Sequence, residues 1–220
     1  MTHTTNTDVD SFSGARPIFT QPHFVLFPGT SQIIAVTTEP LRQLVADVLR
    51  EQGLFAVALS SAADGFVCVA RIVTPTFFTP AANCIHIEGV CRARVLSRHP
   101  ADGSYQQGML AARPDHYAKT PVIDRRRRYE ELLAAFRELF PHILRNDLFQ
   151  LWADDHFSLG ELCDQIADQL PLAPSCKQSL LAESNVDLRS DLLLAQLREL
   201  HRGQREATIE QSAIPQFSVN

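Results

Sequence analysis

The chain has 220 residues, of which 45% are hydrophobic and 20% charged, an ordinary globular balance. A formal net charge of -5 excludes the global basic field that drives unselective binding to phosphate backbones. The length exceeds the usual single-core mode of roughly 100 to 150 residues, so one large or two small domains are expected.

Five cysteines without a C-x-x-C pair form neither a disulfide framework nor a zinc knuckle, and read as reduced, mostly buried thiols. Residues 1–10 lack the positive and apolar regions of a signal peptide, and no run approaches the ~20 apolar residues of a membrane span. A cytoplasmic protein without membrane contact is expected.

Residues 1–20, rich in Thr, Ser, Asp and Asn, are expected to be a flexible tail. Phe24 to Phe27 and Ile33 to Val36 then read as two short strands joined through the Pro28-Gly29 turn. Thr38 and Glu39 offer cap oxygens and Pro40 suits a first helical turn. Leu41, Leu44, Val45, Val48 and Leu49 recur at helical spacing until Gly53. Three further runs, Leu54 to Leu59, Phe66 to Val73 and Asn83 to Leu96, read as strands, and Tyr105 to Ala112 as a last one. In the long run Ile85, Ile87, Cys91, Ala93 and Val95 are expected on one face, and His86, Glu88, Arg92 and Arg94 on the other. Gly89 in its middle implies a bulge or a close backbone approach, as where a sheet curls towards closure.

Beyond Pro121 the apolar period changes from two to about 3.6. Leu132, Leu133, Phe136, Leu139 and Phe140 mark one helix, Ile143 to Trp152 a second. A third is capped by Ser158 with Glu161 and carries Leu162, Ile166 and Leu170. Ser175 with Gln178 is expected to box a short helix, and Asp187 to cap the last, which carries Leu188, Leu192, Leu193, Leu197 and Leu200 and closes near Gly203.

Three stretches carry a family resemblance. Leu26-Phe27-Pro28-Gly29 followed by Glu39-Pro40-Leu41-Arg42 resembles the opening of the substrate-recognition domain at the N-terminus of Lon proteases and of stand-alone LON-domain proteins. Ile87-Glu88-Gly89-Val90-Cys91-Arg92-Ala93-Arg94-Val95 looks like that family's strand motif. Leu159 to Leu181 with Asp187 to Leu194 is similar to its helical part. The resemblance covers roughly His23 to Leu200. It departs from the family at Thr30-Ser31-Gln32, where apolar residues are commoner, and at Leu41-Arg42. It implies an α+β fold: a PUA-like six-stranded β pseudobarrel with one helix, then an all-α helical bundle subdomain. The expected division is a tail over 1–20, a β-rich subdomain over 21–120, an α-helical subdomain over 121–203 and a tail over 204–220.

The resemblance implies binding of unfolded polypeptide or a protein partner, with a separate protease as one candidate. No residue is assigned to catalysis, metal or cofactor. No Gly-x-x-x-x-Gly-Lys-[Ser/Thr] loop is present to cradle nucleotide phosphates. Ser175 and Lys177 lie two apart, so as helical neighbours they face different ways and read as a cap and a solvated lysine. Cys84 and His86 share a strand face, but spacing places no third metal ligand.

The candidate partner-binding residues are Phe77 and Phe78, in a proline-bounded loop, Arg92 and Arg94 on the long strand, and Arg125, Arg126, Arg127 and Arg128. Cations in a first helical turn oppose the macrodipole by about 0.3 to 1 kcal/mol each, so something must offset that run. Glu130 and Glu131 one turn on are the simplest partners. The alternative function is an RNA-binding PUA-like module using these arginines. The acidic total and the lack of basic residues interleaved with aromatics count against nucleic acid.

Overall fold

The computed structural model describes residues 13–50, 53–60, 65–73, 84–100, 105–120, 123–141, 152 and 157–212. Six strands come first, interrupted by one helix: β1 Ser13–Gln21, β2 Ser31–Ala35, α1 Glu39–Arg50, β3 Phe55–Leu59, β4 Phe66–Val73, β5 Cys84–Pro100 and β6 Gln106–Ala112. Helices α2 Arg125–Leu139, α3 Leu159–Gln169, α4 Pro174–Ala182 and α5 Val186–Ser212 follow.

The strand order is β2-β5-β4-β3-β1-β6, and β6 pairs β5 as well, so five strands close into a ring with β2 outside it. Among the described strands only β1 and β3 pair in parallel. Closure is possible because β5 is 17 residues long. Its start pairs β2 and β4, and its end pairs β6. Ile18, Ala56, Ala58, Val67, Val69, Ala93 and Leu110 form a small core with no contribution from the described helices. All five ring strands supply it, so it is the ring's inside, and its alanines suit a narrow bore. The larger core lies on the outer face, where Phe55, Val57, Cys68, Ile85 and Ile87 pack under helical residues that include Leu44, Phe136, Leu162 and Leu197.

Several expectations need correction. Ser13–Gln21, which includes the last residues of the tail expected over 1–20, is a strand held by β3 and β6. The ladder to β3 starts only at Ile18, so Pro17 has a strand on one side alone, where its missing N–H is tolerated. Phe24 to Phe27 is not a strand. Val25, Leu26 and Phe27 are buried as irregular backbone leading into the Pro28-Gly29 turn. The last helix does not close at Gly203 but continues to Ser212, into the region expected as a tail over 204–220.

The caps differ too. Ser158 and Glu161 form the expected capping box, but Ser175 caps nothing: α4 starts at Pro174, whose ring fixes φ and needs no donor partner. For α5, Asn185 Oδ1 accepts from the Asp187 and Leu188 amides, which frees the Asp187 carboxylate for other partners. Most of the helix expected over Ile143 to Trp152 lies outside the described residues.

Candidate functional site

The turn after Phe27 and the middle of β5 are built for each other. Gly29 takes φ 72°, the left-handed region glycine tolerates, and its N–H donates to the Gly89 carbonyl at 2.9 Å. The Gly89 N–H returns a bond to the Thr30 carbonyl at 2.9 Å. A β-carbon on Gly89 would lie 2.1 Å from the Phe27 carbonyl oxygen and 2.9 Å from Cys68 Sγ, so only glycine permits this approach. Thr30 closes the turn from within, its hydroxyl donating to the Phe27 carbonyl at 3.0 Å. Helix α3 clasps the outside: Gln165 Nε2 donates to the Gly29 carbonyl at 2.7 Å, and Asp168 Oδ1 accepts from Gln32 Nε2 at 3.1 Å. Lys177, expected to be solvated, is half-buried and donates to the Asp168 carbonyl at 2.6 Å; burial lowers the pKa of its ammonium and raises that of the Asp168 carboxyl.

Gly89 also changes the phase of β5. Val69 pairs Cys91 and Ala70 pairs Gly89, so Val90 is an extra residue and the alternation inverts across it. Ile85 and Ile87 face the outer core, whereas Cys91, Ala93 and Val95 face the ring's inside. Arg92 therefore sits opposite Cys68, on the outer-core side, and is 4% exposed. This corrects the expected polar face, which assumed one phase throughout. Glu88 pairs instead with Arg71, at 2.8 Å.

Arg92 enters a cluster of four charges that joins the sheet to the helices, with Arg92, Asp164 and Arg189 buried and Asp115 at the exposed rim. Its guanidinium makes a two-pronged pair with Asp164 of α3, lies 3.3 Å from Asp115, and donates through Nε to the Leu181 carbonyl at 3.1 Å. Arg189 of α5, 1% exposed, makes the same two-pronged contact with Asp115 and donates to the Glu183 carbonyl at 2.7 Å. Burial opposes the Arg189 charge, yet Asp164 and Asp115 outweigh it and raise its pKa. Gly160 leaves the room: a β-carbon there would lie 2.4 Å from Asp115 Oδ2. Sequence reasoning missed Asp115, Asp164 and Arg189. The available signal was Asp164 itself, a carboxylate inside the apolar stripe formed by Leu162, Cys163, Ile166 and Ala167.

The arginine run is offset by carboxylates, partly from a distance. Asp124 caps α2, accepting from the Arg126 and Arg127 amides. Arg125 donates to both Asp187 oxygens, at 2.8 and 2.9 Å, and lies 4.7 Å from the Tyr117 ring centre. That hydrogen bond holds the Asp187 carboxyl below its ordinary range. Arg128 reaches Glu131 and, on α5, Asp191. Only Arg126 and Arg127, with loose pairs to Glu130 and Glu131 at 3.6 and 3.3 Å, remain largely in solvent. Arg94 is exposed, its guanidinium 5.8 Å from the Phe66 ring centre. Phe77 and Phe78 lie outside the described residues. The described candidates thus do not form one basic surface: Arg92, Arg125 and Arg128 are structural joints.

His86 is exposed and Cys84 half-buried, and no group of three or more His, Cys, Asp or Glu side chains is disposed to hold a metal among the described residues. No described helix is long and apolar enough to cross a membrane.

A family model for the substrate-binding domain of the ATP-dependent protease La (LON) matches residues 15–199, from β1 into α5. The chain belongs to the LON substrate-binding domain family. Solved LON relatives share its fold. The Lon N-terminal domain protein from Xanthomonas campestris is 21% identical, with a TM-score of 0.61, covering 83% of this chain and 98% of that one. The N-terminal domain of the Mycobacterium avium complex Lon protease is 16% identical, with a TM-score of 0.65, covering 84% and 98%. A comparison with curated proteins gives no match. In this LON domain the Phe27-Pro28-Gly29 turn and the Glu88-Gly89 pair, 60 residues apart, are two halves of one joint.

Proposed function

We propose that this chain is a recognition module that binds polypeptide segments without transforming them. The observation that carries this reading is the match of the substrate-binding family over residues 15–199. It is supported by the use the chain makes of its buried charged residues, Arg92, Asp164 and Arg189, which lock the sheet to the helices. The fold is read as a PUA-like pseudobarrel followed by a helical bundle, the protein as cytoplasmic, and its ligand as unfolded or extended polypeptide that a separate protease then degrades. RNA binding is the weaker reading, since Arg92, one of its phosphate contacts, is buried against Asp164.

The test is fluorescence anisotropy of labelled, reduced and carboxymethylated α-lactalbumin titrated with the full chain. A saturable rise that persists as salt is raised is expected. No saturable rise would overturn the reading, and a salt-sensitive shift of single-stranded RNA would then favour the weaker one.

A further inference from the structure

Resting on the polypeptide-binding reading, we infer that the outer edge of β2 is the docking site, where an extended polypeptide segment adds as a further strand. β2 is the one described strand left outside the ring, paired with β5 alone through five register positions, Ser31 with Glu88 to Ala35 with Cys84. The bond from the Gly89 amide to the Thr30 carbonyl sets the phase of that ladder. Gln32 and Ile34 therefore turn their backbone groups to β5, and Ser31, Ile33 and Ala35 turn theirs outwards. Among the described residues no further backbone hydrogen bond reaches any of those three. Ile33, at the centre, is 74% exposed, with the small side chains of Ser31 and Ala35 on either side and His86 across the ladder.

Proteins usually blunt such an edge with lysine, proline, an inward charge or a bulge. Ser31 to Ala35 carries none of these. The edge is also rigid. Ile34 is buried beneath it, Gln32 is tied to Asp168, and the preceding turn is bolted to Gly89, so little ordering cost falls on the chain when a segment arrives.

The occupant is an extended stretch that alternates apolar and small or polar residues, its backbone read by the edge and one apolar side chain lying beside Ile33. A second copy fits less well. An edge of five residues, about 17 Å long, buries far less than the roughly 800 Å² per partner of stable complexes. Brief capture of unfolded chain needs no more.

The same anisotropy titration tests this with Ile33→Pro, which removes an outward donor without touching the β5 ladder, and Ile33→Thr, which keeps the backbone and trims the apolar surface. Ile33→Pro is expected to weaken binding about tenfold or more, and Ile33→Thr by less. On the unsubstituted chain, amide hydrogen exchange should slow at Ser31, Ile33 and Ala35 when the carboxymethylated protein is added, a readout that stands even where Ile33→Pro fails to fold. Undiminished binding by folded Ile33→Pro, or exchange unchanged at those amides while the probe is bound, overturns the edge and leaves polypeptide binding intact. No binding by the unsubstituted chain overturns both. A dimer in sedimentation that Ile33→Pro abolishes assigns the edge to a second copy and overturns the proposal.

Discussion

Replacing Gly89 by alanine tests the joint between the Pro28-Gly29 turn and β5. The added β-carbon would sit 2.1 Å from the Phe27 carbonyl oxygen and 2.8 Å from its carbon, and these are main-chain atoms that no rotamer change can move. Ordinary contact needs the turn to withdraw by about 1 Å, which stretches both 2.9 Å bonds of the joint beyond useful length. Two lost hydrogen bonds at about 1 kcal/mol each, with loosened packing around the fully buried Phe27, give a loss of about 3 to 5 kcal/mol. Equilibrium urea unfolding measures it, followed by fluorescence of Trp152, the single tryptophan, whose ring centre lies 5.5 Å from that of Phe136. The internal control is Gly203→Ala on α5, where a β-carbon meets nothing within 4 Å; relief of the helical glycine penalty should stabilise by up to about 1 kcal/mol. A Gly89→Ala loss below about 1 kcal/mol would show that the turn yields freely and would refute the joint.

Arg92→Met leaves Asp164 buried without its main partner and should cost about 3 to 5 kcal/mol, while Arg92→Met with Asp164→Leu should recover most of that in the same unfolding assay. Gly160→Ala pushes on Asp115, a side-chain end that can swing aside. A smaller loss of about 1 to 3 kcal/mol is expected, less than additive with Asp115→Ala. Asp187 binds its proton less readily folded than unfolded, so its stabilisation is full above an unfolded value near about 4 and fades as pH falls through the folded one. Asp187→Asn should therefore lower the urea midpoint at neutral pH and converge on the parent chain in acid. Burial pushes the Cys163 thiol up to about 12 and the Cys68 thiol higher still. A thiol-titrating disulfide reagent should find at most Cys84, Cys91 and Cys176 in the native chain, and all five after unfolding.

What the sequence made legible was local. The capping box at Ser158, the α1 stripe of Leu41, Leu44, Val45 and Val48, and the turn at Pro28-Gly29 are set by neighbours within a few residues, and each stands where its pattern predicted. β1 was hidden because its residues are ordinary and its partners lie 38 to 98 positions away, Ile18 with Ala56 and Ser13 with Ala111. Arg92 was misplaced for a subtler reason. Gly89 signals a bulge or a close approach, and it makes the approach while its neighbour Val90 makes the bulge; a bulge inverts every side chain beyond it, and that inversion must be included. Once it is, an arginine following an apolar strand becomes an arginine aimed into the helices, where Asp164 interrupts an otherwise apolar face. The arginine run had the same ambiguity: Glu130 and Glu131 were visible one turn on, whereas Asp187 and Asp191 reach it only after the chain has folded back.

The seam formed by β1 sets an order of events for a chain made from its N-terminus. Ser13 finds its register partner only when Ala111 has been synthesised, and Ile18 needs Ala56 before that. Until β6 is made, the facing edges of β1 and β5 stay open to any neighbouring chain, and the alanine-lined bore stays wet. Assembly should therefore be slow for the protein's size, governed by distant rather than adjacent contacts. Nascent chains stalled before about residue 112 are the species most in need of protection from sticking to one another.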